Sequence, residues 1–141
     1  MYFRATINLV RGGRPVFIGW LDQFINNQLV PLTVDDIDSI TFSMSMRKTD
    51  TVGEYSRIPG STPLENFQNI PVEKTTAITP PTLYEPEFYQ ILGMTPFESN
   101  FIYSPENNPV LFESAGLYVA RFEFTDINGE IHPAEIEITV R

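Results

Sequence analysis

Apolar and polar residues alternate through both ends of this chain. In DSITFSMSMRK, residues 38–48, Ile40, Phe42, Met44 and Met46 fall on one face, with Thr41, Ser43, Ser45 and Arg47 on the other. A period of two marks a half-buried strand, and no 3.6-residue period fits the stretch. Near the N-terminus, Phe3, Ala5, Ile7 and Leu9 alternate with Arg4, Thr6 and Asn8. This predicts a first strand, ended by a turn at Arg11-Gly12-Gly13-Arg14-Pro15. PVFIGWL, residues 15–21, is apolar on both faces and rich in β-formers, so it predicts a strand covered on both sides. Asn26-Asn27 predicts a turn into a short strand around Leu29 to Leu32, and Asp35-Asp36-Ile37-Asp38 a polar corner.

The C-terminal stretch GLYVARFEFTDINGEIHPAEIEITVR, residues 116–141, predicts a hairpin. Its first strand places Tyr118, Ala120, Phe122 and Phe124 on one face, and its second places Ala134, Ile136, Ile138 and Val140 on one face. Directly paired residues share a face, so the two apolar sets must pair with each other. A two-residue Asn128-Gly129 loop would pair Phe122 with Glu135, which is the wrong face. A three-residue loop, Ile127-Asn128-Gly129, pairs Phe122 with Ala134 and Tyr118 with Ile138. It also places Asp126 at the first position of a type I turn and Gly129 at a left-handed bulge. Pro133 has no N–H to donate, which places that end of the last strand at an edge or a non-bonded position.

Residues 49–110 lack this alternation. They hold nine of the twelve prolines, with eight acidic against two basic residues, and eight of the eighteen aromatics. A disordered linker is usually poor in aromatic residues. The stretch is read as a long insertion within a single domain of residues 1–141, with one short helix over PEFYQILGM, residues 86–94. Pro86 would sit in its first turn and Gly93 at its C-terminal cap. Long loops in compact domains are often functional. The insertion either wraps its own sandwich or reaches a partner. In the second case Tyr84, Phe88, Tyr89, Phe97, Phe101 and Tyr103 are the candidate interface residues. Deleting residues 60–108 would then leave a folded sandwich that no longer assembles.

Composition narrows the field of functions. The chain is 141 residues long, 42% hydrophobic and 13% aromatic, enough for one substantial core. It has no cysteine, which excludes disulfides and thiolate metal sites. The net charge of −9 repels phosphate backbones, so nucleic acid is not an expected partner. No apolar run is long enough to span a membrane, and the N-terminus does not read as a signal peptide.

Candidate chemistry is sparse. His132 is the single histidine, so no Ser-His-Asp set, Cys-His set or multi-histidine metal site can be built, and it is read as structural. The Asp35-Asp36-Asp38 cluster and Asp126 to Glu130 carry oxygens, but neither has the spacing of a twelve-residue calcium loop. Turn chemistry already accounts for Asp126 and Gly129, so no metal or cofactor is expected. Glu123, Glu135 and Glu137 face outward on the hairpin as a solvated face. A glycosidase-like reading would need a deep pocket holding two carboxylates. Gly12-Gly13 lacks phosphate-loop spacing. Trp20 lies within an apolar run and is read as core.

Several of these residues also carry a resemblance. An apolar strand ends near Asp22, followed by Val30-Pro31-Leu32 and an Ile-x-Phe strand, Ile40-Thr41-Phe42. Gly116-Leu117-Tyr118 then opens a strand, and an Asp-x-x-Gly turn runs from Asp126 to Gly129. Over about half the chain this resembles the small immunoglobulin-like β-sandwich of tailed-phage virion proteins of the baseplate, tail or head-accessory type. The resemblance implies an all-β antiparallel sandwich and a non-enzymatic role in the virion. Partners would be other virion proteins or copies of itself, and no catalytic residues would be needed. The residue 49–110 insertion departs from that simple domain. The alternative is a ligand- or carbohydrate-binding sandwich module of a larger adhesion system.

Overall fold

The computed structural model describes residues 2–7, 16–47, 61–92, 95–105 and 116–140. The expected facing of the Phe3, Ala5 and Ile7 side chains, Leu9, the turn at 11–15, Tyr55 and the Gly93 cap lie outside the described positions. The fold is all-β, with two antiparallel sheets packed face to face. The first sheet runs β1 (Tyr2–Ile7), β2 (Phe17–Ile25), β8 (Ser99–Tyr103), β7 (Ile78–Thr82). A short β3 (Gln28–Pro31) pairs with the far half of β2. The second sheet runs β10 (Ile131–Val140), β9 (Gly116–Asp126), β4 (Ile37–Arg47). On the other side of β4, β5 (Ser61–Pro63) pairs with residues 45–47 and β6 (Ile70–Val72) with residues 40–42.

The alternating segments fold as their periods require. Ile40, Phe42 and Met44 of β4 are buried, Met46 packs at the core margin, and Thr41, Ser43 and Ser45 are half-buried. Phe17, Ile18 and Leu21 of β2 are fully buried, so that strand is covered on both faces, with Trp20 half-buried rather than enclosed. The β9–β10 register pairs Phe122 with Ala134 and Tyr118 with Ile138. At the tip, the Gly129 N–H donates to Asp126 O (3.0 Å) and the Asp126 N–H to Glu130 O (2.9 Å), closing a three-residue loop with Gly129 at φ +84°. Side-chain parity therefore outweighed the pull of Asn-Gly toward a tighter turn. Asn26 and Asn27 form the two-residue β2–β3 turn, with φ of +51° and +63°. Such a turn requires φ > 0 at both positions, which Asn tolerates. Gly116 opens β9 where a Cβ would lie 2.8 Å from Met46 Cε.

Aromatic rings lock the sheets together. Phe17 meets Phe42 edge-on at 5.4 Å, and Phe122 packs against Phe17, Phe42, Phe101 and Tyr103 at 5.1–5.9 Å. Each buried Phe contributes about 1.5–3 kcal/mol of transfer free energy, and each such pair about 0.5–1.5 kcal/mol more.

Of the two alternatives for the middle of the chain, the described residues take the self-packed one, as strands of both sheets. Residues 61–105 are not an arm outside a finished sandwich. They supply β5 and β6 to one sheet and β7 and β8 to the other, together with α1 (Lys74–Ala77) and α2 (Pro86–Leu92). The expected helix is present as α2. Prolines mark the rims. Among the described strands, the interior ones (β2, β8, β4 and β9) have none. Pro31, Pro63, Pro71, Pro80, Pro81 and Pro133 lie in β3, β5, β6, β7 and β10, each of which pairs along one side only. A missing N–H is harmless where it would face outward. β1 is the one described edge strand without proline.

A buried amide fastens the junction of β2, β3 and β8. Asn100, with no exposed surface, accepts from the Leu21 N–H at 2.6 Å and donates to Leu21 O at 2.6 Å and Leu32 O at 3.3 Å. Its side chain replaces a peptide group where β8 parts from β2 and β3 takes over the pairing. The Leu32 N–H also donates to Leu21 O, at 2.9 Å.

Candidate functional site at the hairpin end

Two of the six aromatic interface candidates have no surface to offer. Phe101 is fully buried in β8 against Phe122 (5.2 Å) and Phe124 (5.7 Å). Tyr89 is fully buried in α2. Its hydroxyl accepts from the Tyr84 N–H at 3.1 Å and donates to Phe97 O at 2.7 Å. Tyr84, Phe88 and Phe97 are half-buried around it, with ring centroids 4.9–6.4 Å apart. Burial and the nearby Tyr89 raise the Tyr84 phenol above its ordinary pKa. Tyr103 stacks on Phe17 at 6.4 Å at the core margin. All six therefore belong to the core or its margin (Phe101, Tyr103) or to a satellite cluster around Tyr89 (Tyr84, Phe88, Tyr89, Phe97). The rings that the sequence suggested as contact area for a partner are largely spent on the molecule's own interior.

The exposed apolar residues lie elsewhere. Phe24, Ile25, Leu29, Ile127 and Ile131 are 49–72% exposed, and among the described residues only Leu83 joins them as an exposed large hydrophobic. The first three are at the β2–β3 tip, and the last two flank the β9–β10 loop. The β9–β10 loop meets the 3-10 turn that follows β3. The Ile127 N–H donates to Asp36 O (3.2 Å) across the 3-10 turn Val34–Asp36. A cavity of about 210 Å³ there is lined by residues including Gln23, Phe24, Asp36, Asp126 and His132.

The polar groups of this end are built from turns. Asp36 Oδ2 accepts from the Thr33 N–H (2.9 Å), the Thr33 hydroxyl (2.9 Å) and Gln23 Nε2 (2.8 Å). It thus ties the start of the 3-10 turn to β2. Asp126 Oδ1 accepts from the N–H groups of Asn128 (2.9 Å) and Glu130 (3.0 Å), and its Oδ2 meets His132 Nε2 at 2.9 Å. The sequence flagged Asp126 as a turn residue and His132 as structural. It did not show that the imidazole folds back over the loop to the same carboxylate. The available signal was the spacing: in a three-residue hairpin loop, Asp126 and His132 lie just either side of the tip.

The hydrogen bond from His132, followed by those from Glu130 and Asn128, holds the Asp126 carboxyl below its ordinary value of 3.8. A carboxylate with a depressed folded pKa stabilises the fold above its unfolded pKa and loses that contribution as pH falls through the folded value. Urea unfolding of Asp126→Asn should accordingly show its full deficit against the parent chain above about pH 5, and the gap should close in stronger acid. A deficit that is flat with pH would show that the carboxylate's charge contributes nothing to the turn.

Glu123 and Glu135 do not form a catalytic pair in a cleft. Arg121 lies between them, with Nη1 2.6 Å from Glu135 and Nε 3.2 Å from Glu123, on a partly exposed face. Both contacts raise the Arg121 pKa further. A larger cavity, about 440 Å³, lies where β6 and α1 approach the end of β8. Its lining includes Val72, Thr76, Ala77 and Tyr103, with Glu73 as its carboxylate. No protein-family model, no curated protein sequence and no solved structure matches this chain.

Proposed function

We propose that this chain is a non-enzymatic assembly protein of a tailed-phage virion, a head, tail or baseplate component that works through protein–protein contacts. The observation that carries this reading is that five of the six exposed large hydrophobics among the described residues sit on two hairpin tips, Phe24, Ile25 and Leu29 at β2–β3 and Ile127 and Ile131 at β9–β10. Single exposed apolar residues are ordinary, whereas their concentration on two loop tips of an acidic molecule favours a contact role for those tips. The virion setting rests on the resemblance alone, whose motifs are distributed over strands and a turn of this sandwich, with β2 running past Asp22 to Ile25. Val30-Pro31 lies in β3, Ile40-Thr41-Phe42 in β4, Gly116-Leu117-Tyr118 at the start of β9 and Asp126 to Gly129 in the turn. On this reading the interface lies at the loop tips rather than on the aromatics of residues 84–103.

The test is quantitative mass spectrometry of purified tailed particles produced from the genome that encodes this chain. The expected result is a fixed, stoichiometric copy number. A Phe24→Asp/Ile127→Asp double variant should keep the parent's melting temperature and be missing from the particles. Absence of the parent chain from clean particles would overturn the reading, and normal incorporation of the double variant would move the interface elsewhere.

A further inference from the structure

We propose that the β9–β10 loop is a divalent transition-metal site formed by Asp126, Glu130 and His132. This inference is independent of the assembly reading. One ligand atom from each of the three residues lies within 4.8 Å of the other two. His132 Nε2 is 2.9 Å from Asp126 Oδ2 and 3.9 Å from Glu130 Oε2. Two ligands of one tetrahedral zinc ion, each bonded at about 2.0–2.1 Å, sit roughly 3.3 Å apart. The two separations from His132 bracket that value, and the remaining one, between the two carboxylates, lies within 4.8 Å.

Three features distinguish the set from an ordinary acidic turn. First, Asp126 is aimed without help from its ligand atom. Its Oδ1 is fixed by two backbone N–H groups, which leaves Oδ2 directed at the imidazole. That is the outer support a metal-binding carboxylate needs. Second, the only imidazole in the chain is the third donor. One nitrogen and two carboxylate oxygens suit zinc, cobalt or nickel better than calcium or magnesium, which prefer oxygen alone. Third, Asp126 and His132 open onto the cavity of about 210 Å³. That space can hold the water molecules that complete the coordination of a three-ligand ion. The two carboxylates supply two negative charges to a divalent ion, on a chain already at −9.

Binding replaces the His132–Asp126 hydrogen bond: the Nε2 lone pair faces the ion, and the ring proton sits on Nδ1.

The experiment uses the full chain without a histidine tag, treated with chelator and titrated calorimetrically with zinc chloride, then with calcium chloride. The expected result is one saturable zinc equivalent, a higher melting temperature with zinc and no comparable calcium binding. His132→Ala should weaken zinc binding by more than the roughly 10–100-fold that loss of an outer-shell partner costs. Glu130→Gln, at a side chain 78% exposed, should weaken it without altering the metal-free melt. With cobalt, the visible spectrum of a low-coordinate site containing nitrogen should appear in the parent and vanish in His132→Ala. The proposal is overturned by the absence of saturable zinc binding, by calcium binding as tightly as zinc, or by unchanged zinc affinity in His132→Ala.

Discussion

A chain lacking residues 60–108 does not fold. Its far-ultraviolet circular dichroism should show a coil, with no cooperative melt. The excision removes β8, an interior strand of the first sheet, along with β5, β6 and β7. It also removes Phe101, whose ring fills the space beside Phe122 and Phe124. Truncating one core Phe to Ala already costs about 3–5 kcal/mol, against a total stability of about 5–15 kcal/mol for a domain. Losing that ring and four strands exceeds any such reserve. A smaller excision separates core from periphery. Thr82 pairs directly with Ser99, so the ends of the β7–β8 connection are neighbours. Replacing residues 84–97 with a short Asn-Gly turn should remove the Tyr89 cluster and leave a cooperative sandwich, because α2 packs extensively on no described strand. A folded, cooperative product from the larger deletion would show that the sheets close without β8.

The second large effect is expected at Asn100. Asn100→Ala should lower the stability from urea unfolding by about 2–4 kcal/mol. The Leu21 N–H is left buried and unpaired, while Leu21 O keeps the Leu32 N–H as a donor. Asn100→Asp should do no better. It preserves the acceptor for the Leu21 N–H but turns a negative charge on the Leu21 and Leu32 carbonyls, both of which lose the amide donor. The adjacent residue is the control. Ser99 is equally buried, yet its hydroxyl has no hydrogen-bond partner, so Ser99→Ala should be neutral or slightly stabilising. Equal losses at both positions would show that the amide acts through packing rather than hydrogen bonding.

How much of this was legible in the sequence follows from strand length and position. β4, β9 and β10 are ten or eleven residues long, with one face on the core, so their period of two is long enough to recognise. The same parity fixed the β9–β10 register to the residue. β5, β6 and β7 have three to five residues each and contain proline, so they offer neither period nor β-propensity. Their pairing is imposed by β4 and β8 rather than by their own residues. The prolines of these strands lie where a strand pairs along one side only. β8, Ser-Asn-Phe-Ile-Tyr, was the recoverable strand, since its last three residues are strong β-formers. The Asp126–His132 contact was not legible as a cluster because it depends on an imidazole turning back across the loop. The apolar tips were hidden for a different reason: Phe24 lies beyond the apolar run 15–21 and Leu29 opens a short strand, and no sequence period marks either as exposed.

The proline-bearing rims bear on how many copies can be stored side by side. A partner strand approaching β3, β5, β6, β7 or β10 meets a gap in the ladder, so fibril-like stacking stalls there. Among the described edges, only β1 presents an unbroken row of peptide groups. In a concentrated stock, amyloid growth from the described edges thus has one seam from which to start, and it lies at β1.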